Sequence, residues 1–544
     1  MRTKSFWLGC ALLCGMALPL FAQKVPVVEK TLSNGMKLLL VERHDDPAIA
    51  GGWVAHVGSA NERPGITGIA HLFEHMMFKG TPTIGTTNYQ RDLEIIAAQE
   101  KIRDQMRAEE VKMRAAFRRG DLVDAAPHIR TNVFWNEETG KRETNVQVSL
   151  PDSATLLLAP ENKSARYKEL EAEFNKLIVE QRRILVQNEF DKIYRSNGGS
   201  GMNAFTSEDM TAYFIQVPAN KLELWMWMES ERLLHPVFRE FYAERDVVFE
   251  ERRMRTDSTP LGKFSETFNA LFWESHPYGW PTVGWPSDIP AISKAQADEF
   301  YATYYAPQNI TLILVGDFDS QRASDLAEKY FGRIARGKAA APDVVTLEVK
   351  QPAEKRMNAE AEANPQVDIL WHTVPFGHKD SYALEILGQI LSTRTGRLYK
   401  GLVLTNEIAT DVWADQRGQK WAGYFNAGGE AKDGRTPEEV ERAIYAQIEI
   451  LQQEPVPADE LQKVKNNAAA GEYRRLNSNM NVLMHVMINE GMGGWREVND
   501  AGPKLQAVTA ADVQRVAKEY FTKENRAVAV YTRKAAATKE EDKS

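Results

Sequence analysis

Residues 71–75 read His71-Leu72-Phe73-Glu74-His75, the most informative pattern in this chain. Two histidines four residues apart lie on the same face of a helix, about one turn apart. Two neutral imidazoles in this arrangement can bind one Zn²⁺, and Glu74 projects towards the same side, where it can take a proton from metal-bound water. The H-x-x-E-H order reverses that of the zincins and is typical of inverzincins. The alternative is a helix with two ordinary histidines on its polar face.

The sequence around the motif predicts a strand followed by a helix. Gly51–Ser59 (GGWVAHVGS) has the composition of a buried strand, and the apolar residues after His75 continue the helix until Gly80 ends it. A catalytic zinc site needs three protein ligands and one open coordination position. Two histidines leave one ligand missing, so we expect a carboxylate well downstream to supply it.

Several further segments match a known family pattern together with the H-x-x-E-H motif. They are Gly198–Ser207 followed by Asp209, Thr211 and Tyr213; His276-Pro277-Tyr278-Gly279; Tyr304–Asn309; and Gly316-Asp317-Phe318. With these segments the chain resembles the M16 metallopeptidases, the family of the pitrilysin, insulin-degrading and mitochondrial-processing peptidases. The resemblance implies an α+β fold of two homologous domains, each an antiparallel sheet with packed helices, that forms half of a clam-shaped chamber.

The resemblance also implies a third zinc ligand, the second of two glutamates seven residues apart on a later helix. In this sequence the pair is Glu244 and Glu251, so Glu251 is the expected ligand and Glu244 the residue that steadies the metal's ligands. Seven residues is two helical turns, which places both carboxylates on one face. The adjacent Glu250 points about 100° away and is the weaker candidate. The alternative is that 244–255 is simply a solvated, charged helix.

The resemblance also implies a strand that binds the substrate. In the family, the segment that Gly198–Ser207 resembles is an edge strand that pairs with the substrate backbone, which makes Asn203 and Ala204 the expected substrate-contacting residues. A glycine-rich entry allows another backbone to approach closely. Alternating apolar residues in 211–217 predict a strand of period two directly after it. The alternative is an ordinary half-buried strand after a glycine turn.

The N-terminal residues have the pattern of a signal peptide. Arg2 and Lys4 precede an apolar run from Phe6 to Leu18, and cleavage is expected after Ala22, which predicts a periplasmic or secreted protein. Both cysteines of the chain lie in this leader, so the mature protein has no disulfides. The formal net charge of −8 argues against nucleic-acid binding, and no transmembrane segment follows the leader.

A weak internal repeat predicts two similar domains. Gln296–Val315 and Ala511–Val530 each contain a helix, an aromatic pair and a strand. We therefore expect a signal peptide at 1–22, an N-terminal zinc peptidase domain at 23–335, a small-residue linker at 336–344, a C-terminal domain at 345–534 and a flexible tail at 535–544.

The chain departs from the family pattern by a long insertion between His75 and Glu251, from about residue 94 to residue 194. It contains charged helical runs at 99–119 and 165–186 around an extended piece, 131–150, with a turn at Glu138-Thr139-Gly140. Helical runs joined by a hairpin fit a compact excursion better than a disordered loop. An autonomous excursion would contribute little to the zinc site, so its removal is expected to leave zinc bound.

The second departure concerns an Arg and, seven residues later, a Tyr that the family's C-terminal half directs to the scissile carbonyl. By register Val403 and Thr410 occupy these positions, and neither can donate a charge-assisted hydrogen bond to an oxyanion. Arg397 and Tyr399 are nearby but off register. We interpret the chain as the zinc-bearing subunit of a two-chain enzyme, with a heterodimer expected and a homodimer as the alternative. The alternative to this interpretation is that the alignment slips or that the chain functions without these two side chains.

Together these patterns predict an exported zinc endopeptidase that cleaves peptides or unfolded polypeptides. His71, His75 and Glu251 would bind Zn²⁺, and Glu74 would be the general base. Two rivals remain. One is a non-catalytic M16-like structural or peptide-binding subunit, and the other is a binding protein stabilised by a zinc ion that has no open coordination position. A peptidase assay with and without a chelator separates the three.

Overall fold

The computed structural model describes residues 24–122, 128–136, 141–149, 157 and 159–533. The predicted leader, the predicted turn at 138–140 and the predicted tail at 535–544 lie outside these residues. Within the described residues, no helix is both long enough and apolar enough to cross a membrane.

The described chain contains runs of two or more strands and runs of two or more helices in succession. The strands are β1 (Val28–Thr31), β2 (Lys37–Glu42), β3 (Ala48–Ala55), β4 (His128–Asn136), β5 (Lys141–Ser149), β6 (Ser200–Thr206), β7 (Thr211–Pro218), β8 (Ile310–Gly316), β9 (Lys355–Ala361), β10 (Gln366–Thr373), β11 (Ala409–Gly418), β12 (Gly423–Ala431) and β13 (Arg526–Arg533). The helices are α1 (Ile69–Met76), α2 (Tyr89–Arg119), α3 (Ala165–Arg182), α4 (Glu189–Ser196), α5 (Leu222–Leu234), α6 (Phe241–Arg252), α7 (Gly262–Phe272), α8 (Lys294–Tyr304), α9 (Ser320–Phe331), α10 (Ser381–Ser392), α11 (Pro437–Gln453), α12 (Ala458–Arg474), α13 (Asn479–Met492), α14 (Glu497–Ala507) and α15 (Ala510–Tyr520).

The first sheet has the strand order β1-β2-β8-β3-β7-β6. Every residue of β8 is buried, which explains its mostly apolar sequence. One face of this sheet packs into the large core that contains α1. The other face is covered by α13, a helix from late in the chain whose Val486 and Met487 join a core with Val54 of β3. The two halves of the chain therefore share a core.

The second sheet, in the order β11-β12-β10-β13-β9, repeats part of the first. Strand β13 is parallel to β9 and antiparallel to β10, as β8 is parallel to β2 and antiparallel to β3. Before β8, the amide of Asn309 donates to the carbonyl oxygen of Tyr304, at 2.8 Å; before β13, Asn525 donates to Tyr520 at the same distance. The α+β fold and the internal repeat are confirmed.

Two element ends differ from expectation near the motif. Strand β3 stops at Ala55 rather than Ser59, and α1 stops at Met76, four residues before Gly80. Gly80 instead lies in a turn at φ 101°, where a Cβ atom would come within 2.2 Å of the carbonyl oxygen of Ile84. The glycine is thus required by the turn after the helix and not by the helix end itself.

The insertion is not an autonomous excursion. Its helices α2 and α3 pack against α6, where the ring of Phe174 meets the ring of Tyr242 edge to face with centroids 5.7 Å apart. Arg103 lies over the same Tyr242 ring, at 4.9 Å. Asp92 and Gln181 are hydrogen-bonded to each other in the protein interior. Because these side chains belong to the core around α6, the basis for expecting a dispensable insertion is removed.

Candidate metal centre

Helix α1 carries the motif with its apolar side turned into the core. Ile69, Leu72 and Phe73 are buried, so His71, Glu74 and His75 share the opposite side. The helix begins after Gly68, and the buried carboxylate of Glu62 accepts hydrogen bonds from the backbone N–H groups of Gly68 and Ala70, both at 2.8 Å. Burial raises the pKa of Glu62 well above its usual range, against these two hydrogen bonds.

Glu62 was not predicted from the sequence. Its only signal is an acidic residue shortly before a helix start, and such residues commonly cap helices.

Helix α6 presents Glu244 and Glu251 towards α1. The buried Arg252 anchors its end by a two-pronged contact with Glu266, at 2.6 and 2.8 Å, and by a hydrogen bond to the carbonyl oxygen of Gly284. After Arg252 the chain forms a π-helical turn, Arg253–Asp257. The predicted helix is therefore present, with its two glutamates on one face.

His71, His75 and Glu251 converge, and the structure allows all three to offer ligand atoms within 4.8 Å of one another. Glu251 Oε2 lies 3.7 Å from His71 Nε2 and 3.3 Å from His75 Nε2. Two imidazole nitrogens and one carboxylate oxygen are a donor set that suits catalytic zinc. By contrast, Glu250 is exposed and pairs with Arg253 at 2.8 Å, so it does not belong to the cluster.

The remaining oxygens and nitrogens of the cluster have defined partners. His75 Nδ1 lies 3.1 Å from Glu244 Oε1 and donates to it, because a carboxylate only accepts; when the imidazole is neutral, its free lone pair is then on Nε2, on the side of Glu251. Lys79 forms an ion pair with Glu244. Glu251 Oε1 is paired with Arg255, at 2.7 Å. Lys79 and Arg255 have no signal in the motif and become visible only in the fold.

Glu74 lies beside the cluster without being part of it. Its Oε2 is 4.0 Å from His71 Nε2 and accepts a hydrogen bond from Thr206 Oγ1, at 2.8 Å. Burial raises the pKa of Glu74, an effect that the Thr206 hydrogen bond and the charge of His75 oppose. Burial, with the charges of His75 and Arg255, lowers the pKa of His71 to about 3, so this imidazole is neutral as a ligand must be.

Strand β6 is the outer strand of the first sheet and passes directly beside α1. Asn203 is exposed, and its side-chain oxygen accepts the N–H of Ala204 at 2.9 Å; Ala204 itself is buried and pairs with Tyr213 of β7. The predicted alternation in β7 is confirmed, since Thr211, Tyr213, Ile215 and Val217 are all buried.

Two cavities flank the cluster along β6. One, of about 480 Å³, is lined by Glu74, His75, Asn203 and Ala204 and by residues of the insertion. The other, of about 430 Å³, is lined by His71, Glu74, Thr206 and Arg255 among others. Space for a peptide therefore exists on both sides of Glu74.

The residues at the expected Arg and Tyr positions make contacts within the C-terminal half of the chain. Val403 packs against the second core, and Thr410 Oγ1 donates to Glu430, at 2.6 Å. The nearby Arg397 makes a two-pronged ion pair with Glu460, at 3.0 and 2.7 Å. Its guanidinium is thus already neutralised by a carboxylate of α12.

Comparison with known proteins decides the family. A family model described as insulinase (peptidase family M16) matches residues 37–108, and one described as peptidase M16 inactive domain matches residues 291–468. The zinc protease PqqE of Helicobacter pylori is 30% identical over 350 residues, which cover 62% of this chain and 77% of PqqE. The chain belongs to the M16 peptidase family. Another relative, the uncharacterized zinc protease YmxG of Bacillus subtilis, is 21% identical over 344 residues, which cover 62% of this chain and 81% of YmxG.

Solved structures of M16 proteins share the fold. A protease from Helicobacter pylori superposes with a TM-score of 0.70 at 23% identity, covering 93% of this chain and 99% of that one. The periplasmic protease PqqL of Escherichia coli gives a TM-score of 0.63 at 16% identity, covering 93% of this chain but 48% of PqqL. One M16 chain of the present kind thus corresponds in fold to about half of PqqL.

Proposed function

We propose that this chain is a zinc-dependent endopeptidase in which His71, His75 and Glu251 hold Zn²⁺ and Glu74 is the general base. The observation that carries the proposal is the convergence of the three ligand atoms within 4.8 Å, with the Glu74 carboxylate beside them. When bound, the zinc ion would lower the pKa of a coordinated water and polarise the scissile carbonyl.

Each neighbouring side chain has a defined task in this proposal. Glu244 holds the Nδ1 proton of His75 and so directs Nε2 to the ion, while Lys79 neutralises Glu244. Thr206 orients the Glu74 carboxylate through one oxygen, which leaves the other to accept the proton of the attacking water. Glu74 can then pass this proton to the leaving amine.

The substrate would bind as an added strand on the outer edge of β6, with Asn203 and Ala204 next to the scissile peptide. The unpaired backbone groups of an edge strand bind an extended peptide regardless of its side chains. Peptides and unfolded polypeptides, which can adopt this conformation, are therefore the proposed substrates.

A second M16-type subunit is part of the proposal. Val403 and Thr410 offer no charged or phenolic donor, and Arg397 is bound to Glu460. Since the chain covers 48% of PqqL, a second chain of similar size would complete a molecule of PqqL's length. We propose a heterodimer in which the partner supplies the Arg and Tyr, with a homodimer as the alternative. Export to the periplasm or beyond is proposed from the leader and from the description of PqqL as periplasmic.

The name of one matching model, peptidase M16 inactive domain, raises the possibility of a non-catalytic subunit. That match begins at residue 291, after all the residues of the His–Glu cluster. The description therefore concerns the part of the chain that the proposal assigns to no metal ligand.

The deciding experiment compares the chain with its Glu74→Gln variant. Glutamine cannot accept the proton of the attacking water, so zinc content should be unchanged while turnover of an unfolded polypeptide falls by roughly 10²–10⁴-fold. Turnover of the unaltered protein should vanish with a chelator and return with zinc. Near-normal turnover in the variant would exclude Glu74 as the base.

A further inference from the structure

The insertion forms one wall of the cavity beside the proposed catalytic residues. Leu185, Val186, Glu189 and Phe190 line the 480 Å³ cavity together with Glu74 and His75. Asn203 of β6 lines the same cavity, so a peptide bound along β6 would place a side chain in the cavity.

The wall is held in place by backbone hydrogen bonds to the loop after the motif helix. The N–H of Val186 donates to Gly85 O at 3.1 Å, and the N–H of Thr87 donates to Ile184 O at 2.8 Å. The carboxylate of Glu189 accepts the N–H of Gly85. Next to it, Asn188 adopts the left-handed conformation, with φ 55°, which is unusual for any residue except glycine and sharpens the turn into α4.

The cations that line the cavity are already neutralised. Arg239 is buried, forms an ion pair with Asp92 and donates to three backbone carbonyl oxygens. Lys79 is paired with Glu244 and approaches Glu240 at 3.8 Å. Neither of these two cations forms a salt bridge with Glu189.

Glu189 is the carboxylate without a counter-ion. Within the described part of the chain it forms no salt bridge, and its contact with Gly85 uses only Oε2. Glu240 adds a second carboxylate to the lining, and its backbone is in the left-handed region at φ 51°. Its two oxygens form long ion pairs, one with Lys79 and one with Arg182, both at 3.8 Å. The lining of the cavity also includes apolar side chains, with Phe78 and Ile84 joining Leu185, Val186 and Phe190 of the insertion.

We propose that the insertion builds a subsite for a cationic group on an aliphatic stem, with Glu189 as the residue that contacts the cation. This inference rests on the proposed peptidase function and assigns it a substrate preference. The apolar residues among the lining suit the methylene stem of Lys or Arg, while the carboxylate of Glu189 suits the charged head. Two parts of a peptide can supply such a cation: the side chain of Lys or Arg, or the free amino terminus.

The test measures peptide binding to the zinc-loaded Glu74→Gln protein, which does not turn substrate over. A single Lys is moved through an otherwise uncharged, N-acetylated peptide, and each peptide is compared by calorimetry with its norleucine counterpart. At one position Lys should bind about tenfold more tightly than norleucine, the usual value of one charge-assisted hydrogen bond. A norleucine peptide with a free amino terminus tests the second source of the cation.

Two further substitutions identify Glu189. Glu189→Gln keeps an oxygen for the N–H of Gly85 and should abolish the preference for Lys, with norleucine binding unchanged. Asp191→Asn removes a charge from the same helix turn, where Asp191 pairs with Arg195 at 2.7 Å outside the cavity lining, and should keep the preference. Equal losses in both variants, or a loss for norleucine as well, would overturn the assignment.

The two proposals fail in different ways. If cleavage depends on Glu74 but no substrate position shows a preference for a cation, the proposed subsite is excluded and the proposed peptidase function stands. Binding of Lys that depends on Glu189, in a protein that cleaves no peptide, would support the subsite as a binding site and remove the proposed reaction.

Discussion

At the candidate metal centre, contacts of single residues orient the side chains that could bind a metal. Glu244 occupies His75 Nδ1, and this one contact determines which nitrogen of the ring is available to a metal. Arg255 holds one oxygen of Glu251 and leaves the other facing both histidines. The neighbouring Glu250, which has the same chemistry, points to Arg253 and to solvent.

The two adjacent glutamates should therefore respond differently to the same substitution. Glu251→Gln removes a charged ligand and should weaken zinc retention by more than about a hundredfold, since loss of even an indirect partner of a ligand costs 10–100-fold. Glu250→Gln should leave it unchanged. Zinc content of both proteins after dialysis decides the matter, and the reverse pattern would move the ligand to Glu250.

Among the elements, α6 depends on packing from two sides. Its Glu244 and Glu251 face α1, while Tyr242 contacts Phe174 and Arg103 of the insertion helices. Tyr242 also donates a hydrogen bond to Glu100 of α2, at 3.1 Å. The insertion thus supports the helix that presents the third ligand.

Deletion of the insertion should therefore damage the candidate metal centre. Replacing residues 94–194 by a short linker exposes the buried side of α6, and loss of one buried aromatic side chain such as Phe174 alone costs about 3–5 kcal/mol. We expect loss of zinc and a lower unfolding temperature. Replacing only residues 123–158, which leaves α2 and α3 in place, is the control and should retain zinc. Full zinc content in the protein with the larger deletion would instead support the original prediction that the insertion is autonomous.

In the whole molecule, the two halves of the chain are joined by buried polar contacts as well as by α13. Asp209, in the turn after β6, accepts hydrogen bonds from the hydroxyl of Tyr278, at 2.7 Å, and from the N–H of Lys420, at 3.0 Å. Tyr278 in turn accepts the N–H of Trp421. Burial raises the pKa of Asp209 to about 6, although both hydrogen bonds oppose the rise.

This junction should make stability depend on pH. The folded-state pKa lies above the unfolded value of about 4, so between these values the folded protein binds a proton that the unfolded chain has released. The contribution of Asp209 to the free energy of unfolding therefore decreases as pH rises from about 4 to 6 and is constant above. Relative to Asp209→Asn, it should change by about 2 kcal/mol over this window, as measured by urea unfolding at several pH values. Parallel pH profiles of the two proteins would contradict this.

The isolated chain should cleave peptides poorly. Oxyanion donors are worth about a hundredfold or more in turnover, and the positions at which the family resemblance leads us to expect them hold Val403 and Thr410. Addition of an M16-type chain that carries the Arg and Tyr should restore activity, measured as turnover against the ratio of the two chains. Full turnover from a pure preparation of this chain alone would exclude the heterodimer.

The family, the repeat and the residues of the candidate metal centre could be predicted from the sequence, because each is marked by a local pattern of residues. Residues four apart on a helix share a face in any fold, so His71 and His75 could be chosen before the structure was known. Glu244 and Glu251 came from the family resemblance, and their seven-residue spacing is consistent with a shared helix face. The edge position of β6 followed from the family resemblance and agrees with the sheet order.

Only the tertiary structure decided what depends on contacts between distant segments. Nothing in the sequence places Glu62 at the start of α1, the insertion against Tyr242, or Glu189 in the cavity beside Glu74. The expectation of a dispensable insertion was drawn from its charged helical pattern. That pattern describes how each helix divides into polar and apolar faces, and it carries no information about which partner covers the apolar face.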